Sequence, residues 1–468
     1  MLAPMSQRAF RWAGIAALLI LMTRLASVAA QPLSNADTWF NLRLGADLGA
    51  PWHWADPPRW STYATTDWVP TQPLAAAGMS AVERVAGLPG VAWLYGVGLL
   101  TFLLTVYGIC RAYASPLIAA LGTCLAVIGA SGSLSARPQL VSLVLVPLVV
   151  HVWLRTQEDG RARWWLVPMT WLWAMCHGFW IVGVATGFVV TAGLLIAGPD
   201  RRQAARSAVI PLASLVVAAL TPVGPKLLLT PFVVNDRAHL ISEWQRASFA
   251  SIDPWPATIM VLLAGALLAS RKHLTVAEGL LIAMAAGGIV LNGRTMAIAG
   301  LIVVPLFVRA LQERVSFPLD AESRAVELRR LWLTGAAMAV VLGVAVPHTA
   351  DEPAKVPTAF DARLDAVRDG ETVLNDPPAG SWLVWRHPQV NVVVDGLFDA
   401  YPVSHLERTL SVMQAQPGWQ AYVARADPVL AVLAAGEPLV GALRDSGWRL
   451  VDEDAGYVLL EPAKSRQP

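Results

Sequence analysis

The sequence predicts a mainly α, polytopic membrane protein of about eleven transmembrane helices, ending in a small soluble α/β domain. Three observations predict it. Of 468 residues, 55% are hydrophobic and 15% charged, whereas a soluble globular chain carries about a quarter charged residues. Apolar segments of bilayer-crossing length recur from residue 10 to residue 347. Beyond that point the apolar runs shorten and alternate with amphipathic stretches.

The spans lie near 10–30, 91–110, 115–132, 139–154, 165–176, 179–198, 207–222, 256–270, 274–291, 296–311 and 331–347. Lys and Arg favour cytoplasmic loops. With the N-terminus inside, 16 of the 25 Lys and Arg before residue 348 fall on inner segments, from Arg8 and Arg11 through Arg111, Arg155, Lys272 and Arg309 to Arg330. An odd number of spans then puts the tail outside. That tail holds 17 acidic and 10 basic residues, net −7, which argues against nucleic acid as a partner. The first span reads as an uncleaved anchor, because its apolar stretch exceeds a signal core and Arg24 interrupts it. Cys110, Cys124 and Cys176 all fall in spans, so no disulfide framework or thiolate metal site is available.

The organisation is therefore a transmembrane module over 1–347, with a large first outside loop at 31–90, and a soluble extracytoplasmic domain over 348–468. The loop holds Trp39, Phe40, Trp52, Trp54, Trp60, Tyr63 and Trp68, with Asp37, Asp47, Asp56, Asp67 and Glu83. Interfacial placement accounts for most of these aromatics, and one or two are suited to stacking on a sugar. In the tail, 372–375 and 391–395 read as buried strands around a helix from Ala379 to Arg386. A strand at 428–433, a helix at 436–446 ended by Gly447, and a hairpin of 448–452 with 456–461 come next. No phosphate-cradling glycine loop is present, so direct use of ATP is not expected.

Ionisable groups at membrane depth are expensive and mark functional candidates. Asp37 follows the first span and also suits the cap of a helix over 38–48. Arg137 sits in the turn Ser135-Ala136-Arg137-Pro138-Gln139, where a guanidinium suits a phosphate as well as a snorkelling anchor. His177, beside Gly178, breaks an apolar run at its outer turning point. Glu243 and Trp244 lie in an outer loop, with Arg237 and Arg246 within reach of the carboxylate. Arg294 follows the ninth span. In the topology drawn from charge alone, all five places fall on the outer face. A base for an acceptor hydroxyl and cations for a departing phosphate there suit sugar transfer from a polyprenyl-phosphate carrier.

The order of these motifs resembles a family of bacterial multi-spanning proteins related to the GT-C membrane glycosyltransferases, the group of protein O-mannosyltransferases and lipid A aminoarabinose transferases. Most of the chain carries the resemblance. It runs through Asp37-Thr38-Trp39, Asp56-Pro57 with Ser61, Ala136-Arg137-Pro138-Gln139, Leu172-Trp173-Ala174 with His177-Gly178, Thr221-Pro222-Val223-Gly224, Glu243-Trp244 and Arg294. In the tail it runs through Asn375-Asp376, Gly380-Ser381 and Asp395-Gly396 to Tyr401. The resemblance implies an acidic base in the first outside loop, a role that falls on Asp37. Arg137, His177 and Arg294 are then candidates for the donor phosphate by charge and position, and Asp56, Glu243 and Trp244 for substrate. This chain has Asn41 where the family often has His, and Gln72 where it often has Glu.

The reading is thus an inverting membrane glycosyltransferase of the bacterial inner membrane, N-terminus cytoplasmic and tail outside. Its partners would be membrane lipid, a lipid-linked sugar donor, and a glycan, lipid or protein acceptor. Some relatives of that group use a divalent metal; the sequence offers no clear metal cluster. Two other readings stand beside it: a lipid-linked-sugar flippase, and a non-catalytic envelope protein whose tail binds a partner.

Overall fold

The computed structural model describes residues 4–49, 54, 56–198, 200–230, 237–252, 254–271, 274–315, 317, 319 and 321–462, with side chains described except at 4–8, 242, 321 and 322. Trp52 of the loop and Lys272 of the inner segments lie outside these residues. The chain packs as two compact units. One comprises Met1–Gln31, Pro89–Thr230 and Ile241–Thr349; the other comprises Pro32–Leu88, Pro231–Leu240 and Ala350–Pro468.

The first unit is a bundle of apolar helices. Every expected span is occupied by one helix: α1 (Pro4–Ala29), α3 (Pro73–Tyr113), α4 (Pro116–Gly129), α5 (Gln139–Asp159), α6 (Leu166–Ala174), α7 (Trp180–Ala197), α8 (Arg201–Ala219), α9 (Pro254–Ala269), α10 (Val276–Leu291), α11 (Gly293–Gln312) and α12 (Ala321–Thr349). Six of them are long and apolar enough to cross a membrane, and α4, α9 and α10 are shorter apolar helices. The chain is a polytopic membrane protein. Several helices begin earlier than expected, among them α8 at Arg201 rather than 207 and α12 at Ala321 rather than 331. The helix of the second span, expected from residue 91, begins at Pro73 and breaks at Gly87, whose φ of 63° is open to a residue without Cβ. The long run 165–198 divides at His177, between α6 and α7.

The core of this bundle is α11, which packs on α4, α5, α9 and α10. Asn292 caps it, accepting from Thr295 N–H. Its far end joins an ionic network. Arg309 Nη1 lies 3.5 Å from Glu158 of α5 and 3.5 Å from Glu278 of α10, and Arg271 Nη1 lies 3.6 Å from Glu278. The end of α3 and the start of α12 share a buried pair. Arg111 Nε donates to Glu327 at 2.8 Å, and Tyr107 donates to the same carboxylate at 2.6 Å. Each charge there is retained in a dry setting because the other is present; removal of one partner of such a pair costs about 3–5 kcal/mol.

The second unit joins the first outside loop to the tail. It contains α2 (Ala36–Asp47), the start of α3, and a five-stranded sheet in the order β2-β1-β3-β5-β4. The strands are β1 (Thr372–Asn375), β2 (Asn391–Val392), β3 (Leu430–Ala434), β4 (Arg449–Asp454) and β5 (Tyr457–Glu461). Strand β1 runs parallel to β2 and β3, while β5 pairs antiparallel with β3 and β4. The helices are the single turn α13 (Asp361–Leu364), α14 (Pro377–Arg386), α15 (Val403–Met413), α16 (Trp419–Ala426) and α17 (Pro438–Asp445). The sequence pattern anticipates the sheet, α14 and α17, but not α15 and α16. It also makes β2 too long. Val393 leaves the ladder because its N–H donates to the Asn375 side chain at 2.9 Å.

The tail motifs that carried the resemblance form one interlocked frame. Asn375 donates to the Val394 carbonyl at 2.6 Å. Asp376 caps α14 through Ala379 N–H at 2.9 Å and accepts from Ala434 N–H at 2.7 Å. A Cβ at Gly380 would run into the Val394 carbonyl, so α14 approaches that segment as only glycine allows. Gly396 N–H donates to Ser381 Oγ at 2.9 Å. Asp395, fully buried, accepts from Trp60 Nε1 at 2.6 Å, Tyr401 OH at 2.8 Å and Leu397 N–H at 2.6 Å. Trp60 belongs to the outside loop, and Ser61 adds a bond from its Oγ to the Val392 carbonyl at 2.7 Å. Loop and tail are therefore one folded body.

Loss of the buried carboxylate tests this frame. Asp395→Ala strips three buried donors of their acceptor, so it should destabilise the folded chain by about 3–5 kcal/mol; a lower thermal midpoint in detergent and faster proteolysis within 54–68 would be seen. A second test uses pH. Burial pushes the Asp376 carboxyl from 3.8 up to about 6, against the pull of its two N–H donors. The raised folded-state value means that protonation favours folding, fully below the ordinary value and lost as pH rises through about 6. Comparison of wild type with Asp376→Asn should show the wild type gaining relative stability, up to roughly 3 kcal/mol, as pH falls from 7 towards 4.

Candidate functional site

In the bundle unit, the turn before α5 and the first turns of α5 and α11 gather most of the sequence candidates. Arg137 precedes α5, and its chain bends so that Arg137 N–H donates to the Ser135 carbonyl at 2.7 Å. Its Nε donates to Ser135 Oγ at 2.6 Å, which fixes the guanidinium plane. Nη1 then donates to both oxygens of Glu243, at 3.0 and 3.3 Å. Arg294, on the first turn of α11, lies 3.7 Å from the second oxygen of the same carboxylate. It also donates to Gln139 Oε1 from Nε at 3.2 Å and from Nη2 at 3.1 Å, and lies over the Trp244 ring at 5.4 Å. One carboxylate thus bridges two guanidinium groups. Glu243 pairs with these two groups rather than with Arg237 or Arg246, the partners considered for it. Arg237 instead donates to the Tyr401 carbonyl at 3.2 Å.

The cluster is asymmetric in exposure. The Arg137 side chain is 5% exposed and that of Arg294 20%, whereas Glu243 is 41% exposed. Glu243 sits on a single 3₁₀ turn, Ser242–Trp244, which Gly293 N–H holds to α11 by donating to the Gln245 carbonyl at 3.0 Å. Two guanidinium groups converge on one carboxylate oxygen pair at the end of an apolar bundle, and guanidinium groups suit phosphate oxygens as well as carboxylate ones.

His177 joins through α5. Trp173 Nε1 donates to Ser142 Oγ at 2.8 Å, and Ser142 Oγ lies 3.0 Å from His177 Nδ1. Phe179 N–H donates to the same ring nitrogen at 3.3 Å. Nδ1 is therefore an acceptor, and the ring proton is on Nε2. Burial first, then the charges of Arg294 and Arg137, hold the ring well below the usual histidine range, so it is neutral at pH 7. Gln139 and Ser142, which bond to Arg294 and His177, were not among the sequence candidates. Their signal was present: they are the polar pair, spaced i and i+3, on the first turn of an otherwise apolar helix.

Asp37 and Asp56 belong to the other unit. The cap of α2 is Asn35, whose side chain accepts from Asp37 N–H at 3.0 Å. Asp37 is thus the second residue of the helix rather than its cap, a first-turn position where a carboxylate is favoured by the helix dipole. It is half-buried. Asn41 donates to the Asp37 carbonyl at 2.7 Å, and Gln72 donates to Asn41 Oδ1 at 2.8 Å. The two positions at which this chain departs from the family pattern therefore bond to one another directly beneath Asp37. Asp56 is exposed, and its backbone carbonyl accepts from Trp68 Nε1 at 3.3 Å. Among the described residues no group of three His, Cys, Asp or Glu is arranged to hold a metal ion.

Ser142→Ala tests the His177 arm. It removes the acceptor of the buried Trp173 N–H, so a loss of roughly 1–3 kcal/mol is expected, read as a lower thermal midpoint, with Ser142→Thr losing less.

No family model matches the sequence, and no curated protein matches it. Solved structures do. ArnT from Cupriavidus metallidurans in the apo state aligns over 95% of this chain and 97% of its own, at 14% identity and TM-score 0.54. The same protein bound to undecaprenyl phosphate aligns over 96% and 98%, at 15% identity and TM-score 0.51. The oligosaccharyltransferase of Archaeoglobus fulgidus, tethered with an acceptor peptide, aligns over 91% of this chain and 69% of its own, at 11% identity and TM-score 0.58. Both proteins are members of the GT-C superfamily, and the chain has the GT-C fold.

Proposed function

We propose that this protein is a membrane glycosyltransferase that moves a sugar from a polyprenyl-phosphate donor to an acceptor on the outer face of the membrane. The observation that carries the proposal is the convergence of Arg137 and Arg294 on one carboxylate at the end of an apolar bundle. A lipid phosphate needs an apolar path for its tail and cations for its head, and the bundle provides both kinds of surface. The ArnT relative was solved with undecaprenyl phosphate bound.

The chemistry assigns the roles. Asp37 is the base: it takes the proton of an acceptor hydroxyl, whose oxygen attacks the anomeric carbon with inversion. The bond from that carbon to the phosphate oxygen breaks, and polyprenyl phosphate leaves with the electron pair. Arg137 and Arg294 receive the negative charge that develops on it. Neutral His177 orients the α5 end rather than adding a cation. Trp244 and Asp56 are substrate contacts. We place the protein in the bacterial inner membrane, with its N-terminus in the cytoplasm and the loop 31–90 and the tail 348–468 outside. The segregation of Arg111, Arg155, Arg271 and Arg309 away from the Arg137 end of the bundle helices supports that orientation.

A second reading has an observation of its own. The Asn41–Gln72 bond is between neutral amides, so neither residue gives Asp37 a titratable neighbour, as befits a carrier-lipid binder without transfer. One experiment separates the two. Purified protein is assayed for transfer of radiolabelled sugar from polyprenyl-phosphate donors beside Asp37→Asn. Transfer that falls by about 100-fold or more in the variant, with donor binding retained, is the expected result. Donor binding without transfer in either protein would overturn the catalytic assignment.

A further inference from the structure

Glu243 occupies an unusual place. It is acceptor-only, has two oxygens, and meets two guanidinium groups at the spot where a phosphate would be received. The two arginines are fixed independently of it: Arg137 by Ser135, and Arg294 by Gln139 and the Trp244 ring. The carboxylate is the more exposed partner, carried on a one-turn segment. The phosphate of a polyprenyl-phosphate sugar is a diester with a single negative charge, and the polyprenyl phosphate released from it is a monoester of about −1.5 to −2. Entry beside a retained Glu243 would set the phosphate against the carboxylate at the same guanidinium groups, a like-charge contact that costs free energy.

We propose that Glu243 is an exchangeable counter-ion. It lies in the phosphate place between Arg137 and Arg294, and swings out to solvent when the phosphate of the lipid carrier enters, as donor diester or as product monoester. The guanidinium groups stay where they are, so the site is preorganised for its ligand. Trp244 and Gln245, tied to Arg294 and Gly293, keep the turn attached during the exchange. The exchange rests on the reading of the arginine pair as the donor-phosphate site. It assigns Glu243 a role opposite to that of a substrate contact: it competes with the phosphate and sets how tightly the site holds it.

The apparent affinity of a site that is open only a fraction of the time falls by that fraction. Occupancy by Glu243 for about nine-tenths of the time corresponds to a roughly tenfold weakening. Binding of undecaprenyl phosphate in nanodiscs, and of inorganic phosphate, is measured with the full-length wild type, Glu243→Gln, Glu243→Asp and Arg137→Gln. Glu243→Gln should bind the lipid about tenfold tighter. Glu243→Asp, which draws the carboxylate back by one methylene, should gain less, and it also serves if the Gln variant proves unstable. Arg137→Gln should weaken binding. A gain confined to inorganic phosphate keeps the exchange and overturns the donor-site reading beneath it. Unchanged or weaker binding of both probes by both Glu243 variants, with Arg137→Gln still impaired, overturns the exchange and leaves the donor-site reading standing.

Discussion

A charge withdrawn from water is retained only where an opposite charge or several hydrogen-bond donors stand at contact distance. That constraint organises both units of this protein. Arg111 sits between helix ends because Glu327 meets it, with Tyr107 on the same carboxylate. Asp395 stays in the tail core because Trp60, Tyr401 and Leu397 all donate to it. Arg137 and Arg294 come together because Glu243 lies between them. In each case partners that lie far apart in the chain meet, so the pairing fixes tertiary structure as well as charge.

The three sites differ in how completely their charges are satisfied. Asp395 is fully buried and every partner is a protein group, so its work is complete in the folded chain. The same holds for Asn375, Asp376, Gly380 and Ser381, which interlock β1, α14 and the segment after β2. These motifs resemble those of a transferase family, yet their geometry is that of a scaffold. The arginine cluster is different. Its carboxylate is the exposed member, carried on a one-turn segment against two guanidinium groups.

The Asn41–Gln72 bond shows how a substitution acts at the level of atoms. Two positions that often hold a His and a Glu hold neutral amides, and the amides satisfy each other and the Asp37 carbonyl. The geometry around Asp37 is thus supported without a titrating neighbour among these two residues.

The bundle was legible in the linear sequence: its spans are long apolar runs, and a bilayer-sized helix is the local solution for such a run. Most of the sheet was legible too, because β1, β3 and the hairpin are short apolar strands bounded by turn residues. Helices α15 and α16 were not, since their apolar residues are spread along amphipathic faces and resemble loop in a linear reading. Arg137, His177, Glu243 and Arg294 stood out one by one, each a polar residue at an apolar boundary. Their association, the roles of Gln139 and Ser142, and the union of the outside loop with the tail arise only on folding. Contacts such as Arg137 to Glu243 and Trp60 to Asp395 join residues 106 and 335 positions apart, and no local pattern encodes which distant partner satisfies a buried charge.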